Sequence, residues 1–284
     1  MQTHITTIPN AIGLRVVELL VKDLQRVADF YQAGVGLEVI RQSSEVLELG
    51  SQGQKLVRLV TSDGLNQAEP GSAGLYHLAL LFSNRAQLVE VLNRLFKSHG
   101  AFFQGSADHL VSEAFYFQDP EGNGVELYFD RPEQDWNWQD GQVQMNSLYL
   151  DPIAYSAAHG LTEAILGQIV IGHVHLRVGD LSQAEYFYGQ VLGLVKTAAF
   201  SGALFMSDGW YHHHLGLNTW ESQGASRRSP SLGLGSFTIV LQRKTDVQAL
   251  KERLQQAQWE YVQNETEVKL ADPWGNQLIV SLAE

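Results

Sequence analysis

Three residues, His77, Glu126 and His173, have the types and placement for metal chemistry. His77 lies in GLYHLALL (74–81), Glu126 in DPEGNGVELY (119–128) and His173 in GHVHLRVGDL (172–181). Two imidazoles and one carboxylate that leave other positions open form the facial triad favoured by non-haem Fe(II) oxygenases, and Mn(II) accepts the same ligands. The turn Asp119-Pro120-Glu121-Gly122-Asn123-Gly124 feeds a strand on which Glu126 and Tyr128 share a face. An acid facing a core is costly unless it is paired or ligates a metal.

What ties the three together is register, because the chain nearly repeats itself. LRVVELLVKDL (14–24) with VADFYQAGVGLEV (27–39) recurs as VHLRVGDL (174–181) with EYFYGQVLGLV (185–195). GLYHLALL answers GLGSFTIVL (233–241), and DPEGNGVELY answers DPWGNQLIVSL (272–282). Superposition sets Val16 opposite His173, His77 opposite Ser236 and Glu126 opposite Ile279. Neither copy alone carries a metal site; together they carry one. His175 is on the same face as His173 and competes with it, but His173 matches His77 in its distance to the end of its strand.

The elements that must position these residues follow from periodicity. GHVHLRVGDL alternates at the strand period and breaks at Gly179-Asp180. Leu181, Ala184, Phe187, Tyr188 and Val191 then recur at helical spacing, with Gly193 as a stop. VKTAAFSGALFMSDGWYHHHLGLNTW reads as a meander of strands, so each module is βαβββ. The predicted class is α+β, with four such modules at about 12–60, 74–130, 172–220 and 233–283. Taken in order they give a domain 1–131, a connector 132–168 and a domain 169–284. Trp136, Trp138, Met145 and Tyr155 make the connector too apolar for a free linker. The insertion ESQGASRRSPSLG (221–233) reads as a mobile loop.

Imidazoles concentrate again in YHHHLGLNTW (211–220); on a strand they would alternate between faces, one at least facing the interior and one of the three facing solvent. His109 and Tyr116, in DHLVSEAFYF (108–117), precede Glu126 in its own module. At 284 residues and 44% hydrophobic the chain buries a sizeable core, and a net charge of −12 disfavours nucleic acid and anionic membrane. Without cysteine, any metal must be held by His and carboxylate. The N-terminal stretch has no basic region leading into an apolar run, and no other segment is long and apolar enough to span a bilayer, so the expectation is a cytoplasmic protein.

The repeated modules, the GHVHLRVGDL and DPEGNGVELY signatures and YHHHLGLN resemble the vicinal oxygen chelate (glyoxalase/bleomycin resistance/dioxygenase) superfamily over essentially the whole chain. Within it the four-module length, GLYHLALL, DHLVSEAFYF and the triple histidine are most similar to Bacillus-type catechol 2,3-dioxygenases. The resemblance implies barrel-like domains and an Fe(II) site of His77, Glu126 and His173. It sets His213 at the dioxygen position, Tyr116 on the substrate side and His109 as a second histidine, whose spacing to Glu126 departs from the family pattern by two residues. Large two-domain relatives draw all ligands from the last two modules. Here Ser236 and Ile279 empty the fourth, which points to modules two and three sharing one barrel.

The expected activity is therefore extradiol ring cleavage of a catechol or hydroquinone-type aromatic, with O2 as co-substrate. His109 or Tyr116 would take or relay a ring proton, and His213 would act on the oxygen side. Two rivals stand beside it. A glyoxalase-type lyase or isomerase needs a second catalytic carboxylate on the last strand of module three, where Gly216 and Asn218 stand; a metal-free protein that sequesters an aromatic or drug needs no complete triad. A homo-oligomer is compatible with all three.

Overall fold

The computed structural model describes residues 12–160 and 167–283. The N-terminal residues used in the localisation argument (1–11), part of the connector (161–166) and residue 284 lie outside them. The four βαβββ modules are all present, with observed spans 12–61, 74–130, 169–218 and 233–282. In every module the first strand pairs in parallel with the last, and the two middle strands continue outward. Their helices differ: Arg85–His99 and Lys244–Gln256 are regular, whereas modules one and three run from a short α-turn into wide π-turns at Phe30–Val35 and Glu185–Val191. Helical spacing alone predicted a regular helix there. The extra residue per turn accompanies two adjacent aromatics, Phe30–Tyr31 and Phe187–Tyr188, that are all fully buried. Gly36 and Gly193 end these turns at φ 95° and 94°, as the glycine stop at 193 requires.

The sheets do not follow the sequential division into 1–131 and 169–284. One eight-stranded sheet joins modules one and four through antiparallel pairing of Ile12–Val21 with Gly233–Leu241. One nine-stranded sheet joins modules two and three through Gly74–Phe82 and Ile169–Arg177, with connector strand Leu148–Tyr149 on its edge. Sequentially adjacent modules touch instead through their helices. Arg94 donates to the carbonyls of Gly34 and Val35, and Arg253 repeats the contact on Val191 and Leu192. These guanidiniums satisfy carbonyls that a helix end leaves open. Each half of the chain thus supplies half of both sheets.

The connector packs as its composition requires. Trp136 and Val143 are buried in a cluster with Val111, Ala198, Ala203 and Phe205. The 221–233 insertion, expected to be mobile, is tied down: Ser222 donates to the Val178 carbonyl at 2.9 Å, the Arg228 N–H donates to Trp274 O at 2.9 Å, and its side chain reaches Asn276 and Ser231. No helix among the described residues is long and apolar enough to cross a membrane.

The pairing predicts that neither half is a stable monomer. Residues 1–131 and 132–284 expressed separately should each expose two unpaired seam strands and aggregate or self-associate, and mixing them should give a 1:1 complex by size-exclusion chromatography with light scattering. A folded monomer of either fragment would contradict the seam's importance.

Candidate metal centre

His77, Glu126 and His173 come from three adjacent strands of the nine-stranded sheet, in the order Gly124–Asp130, Gly74–Phe82, Ile169–Arg177. Glu126 is set by the turn before it. Asp119 accepts the N–H groups of Glu121 and Asn123 and the Asn123 side-chain amide, and Asp272 repeats the turn in module four with Trp274 and Asn276. The strand that follows must alternate, which turns Val125 and Leu127 to the hydrophobic core and Glu126 and Tyr128 to the other face.

The three ligand atoms converge. Glu126 Oε2 lies 2.9 Å from His77 Nε2 and 3.1 Å from His173 Nε2, and the two imidazole nitrogens are 3.2 Å apart. All three side chains are buried. Burial raises the Glu126 carboxyl, but His173 and His77 outweigh it and hold the group well below the ordinary carboxylate range. Burial lowers the His173 imidazole, with Glu126 opposing. The directions at Glu126 and His173 favour an ionised carboxylate and a neutral imidazole, the forms that metal binding requires.

The donor set also fits a single ion. Atoms about 2.1 Å from one ion lie about 3.0 Å apart at right angles and about 3.4 Å apart at tetrahedral angles. The observed edges of 2.9, 3.1 and 3.2 Å are of the size that three donors to one ion would span. In the protein alone, both imidazole N–H groups would crowd one carboxylate oxygen, and the 3.2 Å edge would bring two donors together. His173 Nδ1 is buried without a partner, so packing between Tyr128 and His213, at ring-centroid distances of 5.0 and 4.2 Å, orients that ring.

The competing His175 sits elsewhere. It pairs across the seam with His77, is held by Asn218 Nδ2 at 3.1 Å from its Nε2, and packs edge-on against Tyr76. Gly216 lies beneath its ring, where an added Cβ would be 2.7 Å from His175 Cγ. By the repeat, Gly216 occupies the position in module three that Glu126 occupies in module two.

The other expected residues surround the same point. His109 Nδ1 donates to the Asn146 carbonyl at 2.7 Å, so in the neutral ring Nε2 accepts from Tyr116 Oη at 2.6 Å. Tyr116 pairs across its hairpin with Glu126, and burial together with the Glu126 charge raises its phenol well above its ordinary value. His213 stacks on His173, and burial drives its imidazole well below the usual range. The triple histidine is not on a strand. It lies in the loop between Ala203–Ser207 and Leu215–Asn218, opened by the Asp208-Gly209 turn, and none of the three is solvent-exposed. Strand alternation therefore does not apply, and His212, fully buried, bonds to His213 rather than facing away from it.

The three ligand positions open onto a cavity of about 660 Å³, lined by the triad, the His109–Tyr116 pair, His175 and His213. Its outer wall is Tyr76, Phe200, Phe205 and Trp220, with Met145 and Asn146 from the connector. Sequence reasoning missed these wall residues, although Trp220 and Phe205 stand in segments already recognised as a meander. The face of the other sheet is filled differently. There Glu18, in the repeat position of His175, pairs with Arg58, and Glu48 pairs with Lys55 at 2.9 Å.

The chain is 32% identical over 276 residues to catechol-2,3-dioxygenase of Bacillus subtilis (strain 168), covering 94% of this chain and 96% of that protein. A 66-residue stretch, 23% of this chain and 34% of the relative, is 38% identical to biphenyl-2,3-diol 1,2-dioxygenase 2 of Rhodococcus globerulus. Glyoxalase I from Zea mays shares the fold, with a TM-score of 0.59 at 16% identity over 95% of this chain and 92% of that one. The profile of the glyoxalase/bleomycin resistance protein/dioxygenase superfamily matches residues 13–127 and 170–280. With both sheets and all four modules accounted for, the chain belongs to that superfamily.

Proposed function

We propose that the protein is an Fe(II)-dependent extradiol dioxygenase that opens the ring of a catechol-type aromatic. The observation that carries this reading is the buried convergence of His77 Nε2, Glu126 Oε2 and His173 Nε2 at the floor of an aromatic-walled cavity. His77, Glu126 and His173 would hold the iron, which when bound supplies Lewis acidity towards two ring oxygens and electrons to dioxygen. The names of the relatives, catechol-2,3-dioxygenase and biphenyl-2,3-diol 1,2-dioxygenase, support the same chemistry. Mn(II) fits the same donors.

The remaining residues bind and move protons. Phe205, Trp220 and Tyr76 line the cavity and would pack against a planar ring. Tyr116 stays a phenol, so it serves as a hydrogen-bonding relay: its O–H is given to His109 Nε2 and its oxygen can accept from a ring hydroxyl. His213, neutral in its buried place, sits on the opposite side of the triad from Tyr116 and exchanges a proton with the substrate. The glyoxalase reading lacks its second carboxylate, since Gly216 stands where it would be and Asn218 is engaged by His175.

Three experiments test this. Anaerobically loaded Fe(II) protein should consume O2 with catechol and form a yellow ring-opened product. Glu126→Ala should lose the metal by elemental analysis, because an open ligand position remains at a buried site. No O2 uptake with any catechol would remove the reading. His213→Ala should keep its metal and bind catechol, yet turn over on the order of 10²–10⁴-fold more slowly; unchanged turnover would take His213 out of the mechanism.

The cavity also sorts substrates. Among the described residues no lysine or arginine lines it, while its walls are aromatic. A ring carboxylate would be desolvated without a counter-ion, at a cost of several kcal/mol. Alkyl- or aryl-substituted catechols should therefore show kcat/KM at least about 10²-fold above that of a carboxylated catechol. Equal values for the two classes would place the substituent outside this cavity.

A further inference from the structure

Behind His213 runs a chain of hydrogen bonds that the reaction as described does not use. His213 Nδ1 is 2.7 Å from His212 Nδ1, and His212 Nε2 is 2.9 Å from Asp130 Oδ1. Asp130 Oδ2 accepts from Tyr211 Oη at 2.7 Å, and Tyr211 Oη is 2.8 Å from Tyr128 Oη. His212 is wholly buried, packed against Trp136 and Tyr211 at ring-centroid distances of 5.1 and 4.1 Å. Such a chain permits few proton arrangements.

An ionised carboxylate only accepts, so His212 carries its proton on Nε2 and gives it to Asp130. A neutral His212 ring protonated at Nε2 has a lone pair at Nδ1. The 2.7 Å contact between the two Nδ1 atoms needs one proton, which with a neutral His212 belongs to His213. His213 is left with an unprotonated Nε2, the ring atom on the side away from His212. We propose that Asp130 and His212 are positioning residues that lock His213 in its Nδ1–H tautomer, so that His213 enters the reaction as a proton acceptor.

The catalytic half of this proposal rests on the dioxygenase reading; the tautomer itself does not. In the step, a ring O–H bond breaks, its electron pair stays on oxygen and a new N–H bond forms at His213 Nε2. The resulting imidazolium keeps its Nδ1–H bond to His212, with the Asp130 carboxylate behind it, and can later return the proton to a product oxygen. A carboxylate that fixes a catalytic histidine's tautomer acts in the same way in hydrolytic triads, there through one ring fewer.

Selective ¹⁵N-histidine labelling of the full chain, metal-free and loaded with diamagnetic Zn(II), reads the tautomers directly through two-bond proton–nitrogen correlations, assigned with His212→Gln and His213→Gln. His213 should show Nδ1–H with a lone-pair Nε2, and His212 should show Nε2–H. Asp130→Asn should lose that single form at His213, whereas Tyr211→Phe, which removes the other Asp130 contact, should keep it. A His213 with Nε2–H, a doubly protonated His212, or an unchanged His213 in Asp130→Asn would overturn the lock. If Asp130→Asn does not fold, the wild-type pattern still decides. In the Fe(II)-loaded enzyme, Asp130→Asn should lower kcat by roughly 10–10²-fold with KM changed less than about threefold, since neither positioning residue touches the substrate. A wild type with the expected tautomers but no ring cleavage would refute the dioxygenase reading while supporting the lock.

Discussion

The arrangement depends on one buried charge. Glu126 is 2% exposed, and a carboxylate in such a place is tolerated only with partners that offset its desolvation. Its partners, His77 and His173, come from different modules and meet only because the first strands of modules two and three pair along one seam. The seam therefore does two things at once. It closes a continuous sheet, and it brings two imidazoles to within 3.2 Å of each other, where one carboxylate oxygen reaches both.

Duplication explains why the second sheet can be built the same way and carry different contents. Its seam pairs Ile12–Val21 with Gly233–Leu241, the counterpart of the metal-side seam. On its face, the position of His175 is taken by Glu18, which meets Arg58, so the charges there are satisfied by ion pairs that stay partly exposed. Ion pairs with access to water cost little to keep and give little back. Modules one and four are tied to their sequence neighbours through two arginines: Arg94 on the module-two helix holds the carbonyls that end the module-one helix, and Arg253 on the module-four helix holds those that end the module-three helix.

Much of this was legible in the sequence because it is local. Strand alternation, the DPEGN and DPWGN turns and the glycine stop at 193 each act over a few residues, and they placed the four modules within about three residues of their observed bounds. The convergence of His77, Glu126 and His173 was legible from comparing modules, since their counterparts include Val16, Ser236 and Ile279. Pairing of the modules was not local. Four equivalent first strands could pair in several ways, and taking them in order gave a division that the sheets cross; only the split ligand set pointed to modules two and three. The loop of Tyr211 to His214 was misread as strand because Asp208-Gly209 turns the chain and the side chains of Ser207 and Asp208 hold the bend, features that periodicity does not register. The connector's contribution of Met145 and Asn146 to the cavity was hidden for the same reason.

The irregular segments turn out to hold the polar layer behind the site. His109 is oriented by a connector carbonyl at Asn146, and His213 by His212 and Asp130. For His109 a backbone carbonyl engages one ring nitrogen, and for His213 the His212 ring does so, itself bonded to the Asp130 carboxylate. Tyr116 Oη thereby meets His109 Nε2 at 2.6 Å, and the proposed tautomer of His213 would leave its Nε2 unprotonated. Strands alone set the positions of His77, Glu126 and His173. Proton transfer needs the correct hydrogen on the correct atom as well, and the partners that bear on it come from loop residues such as Asn146 and His212 together with Asp130 at the end of a strand.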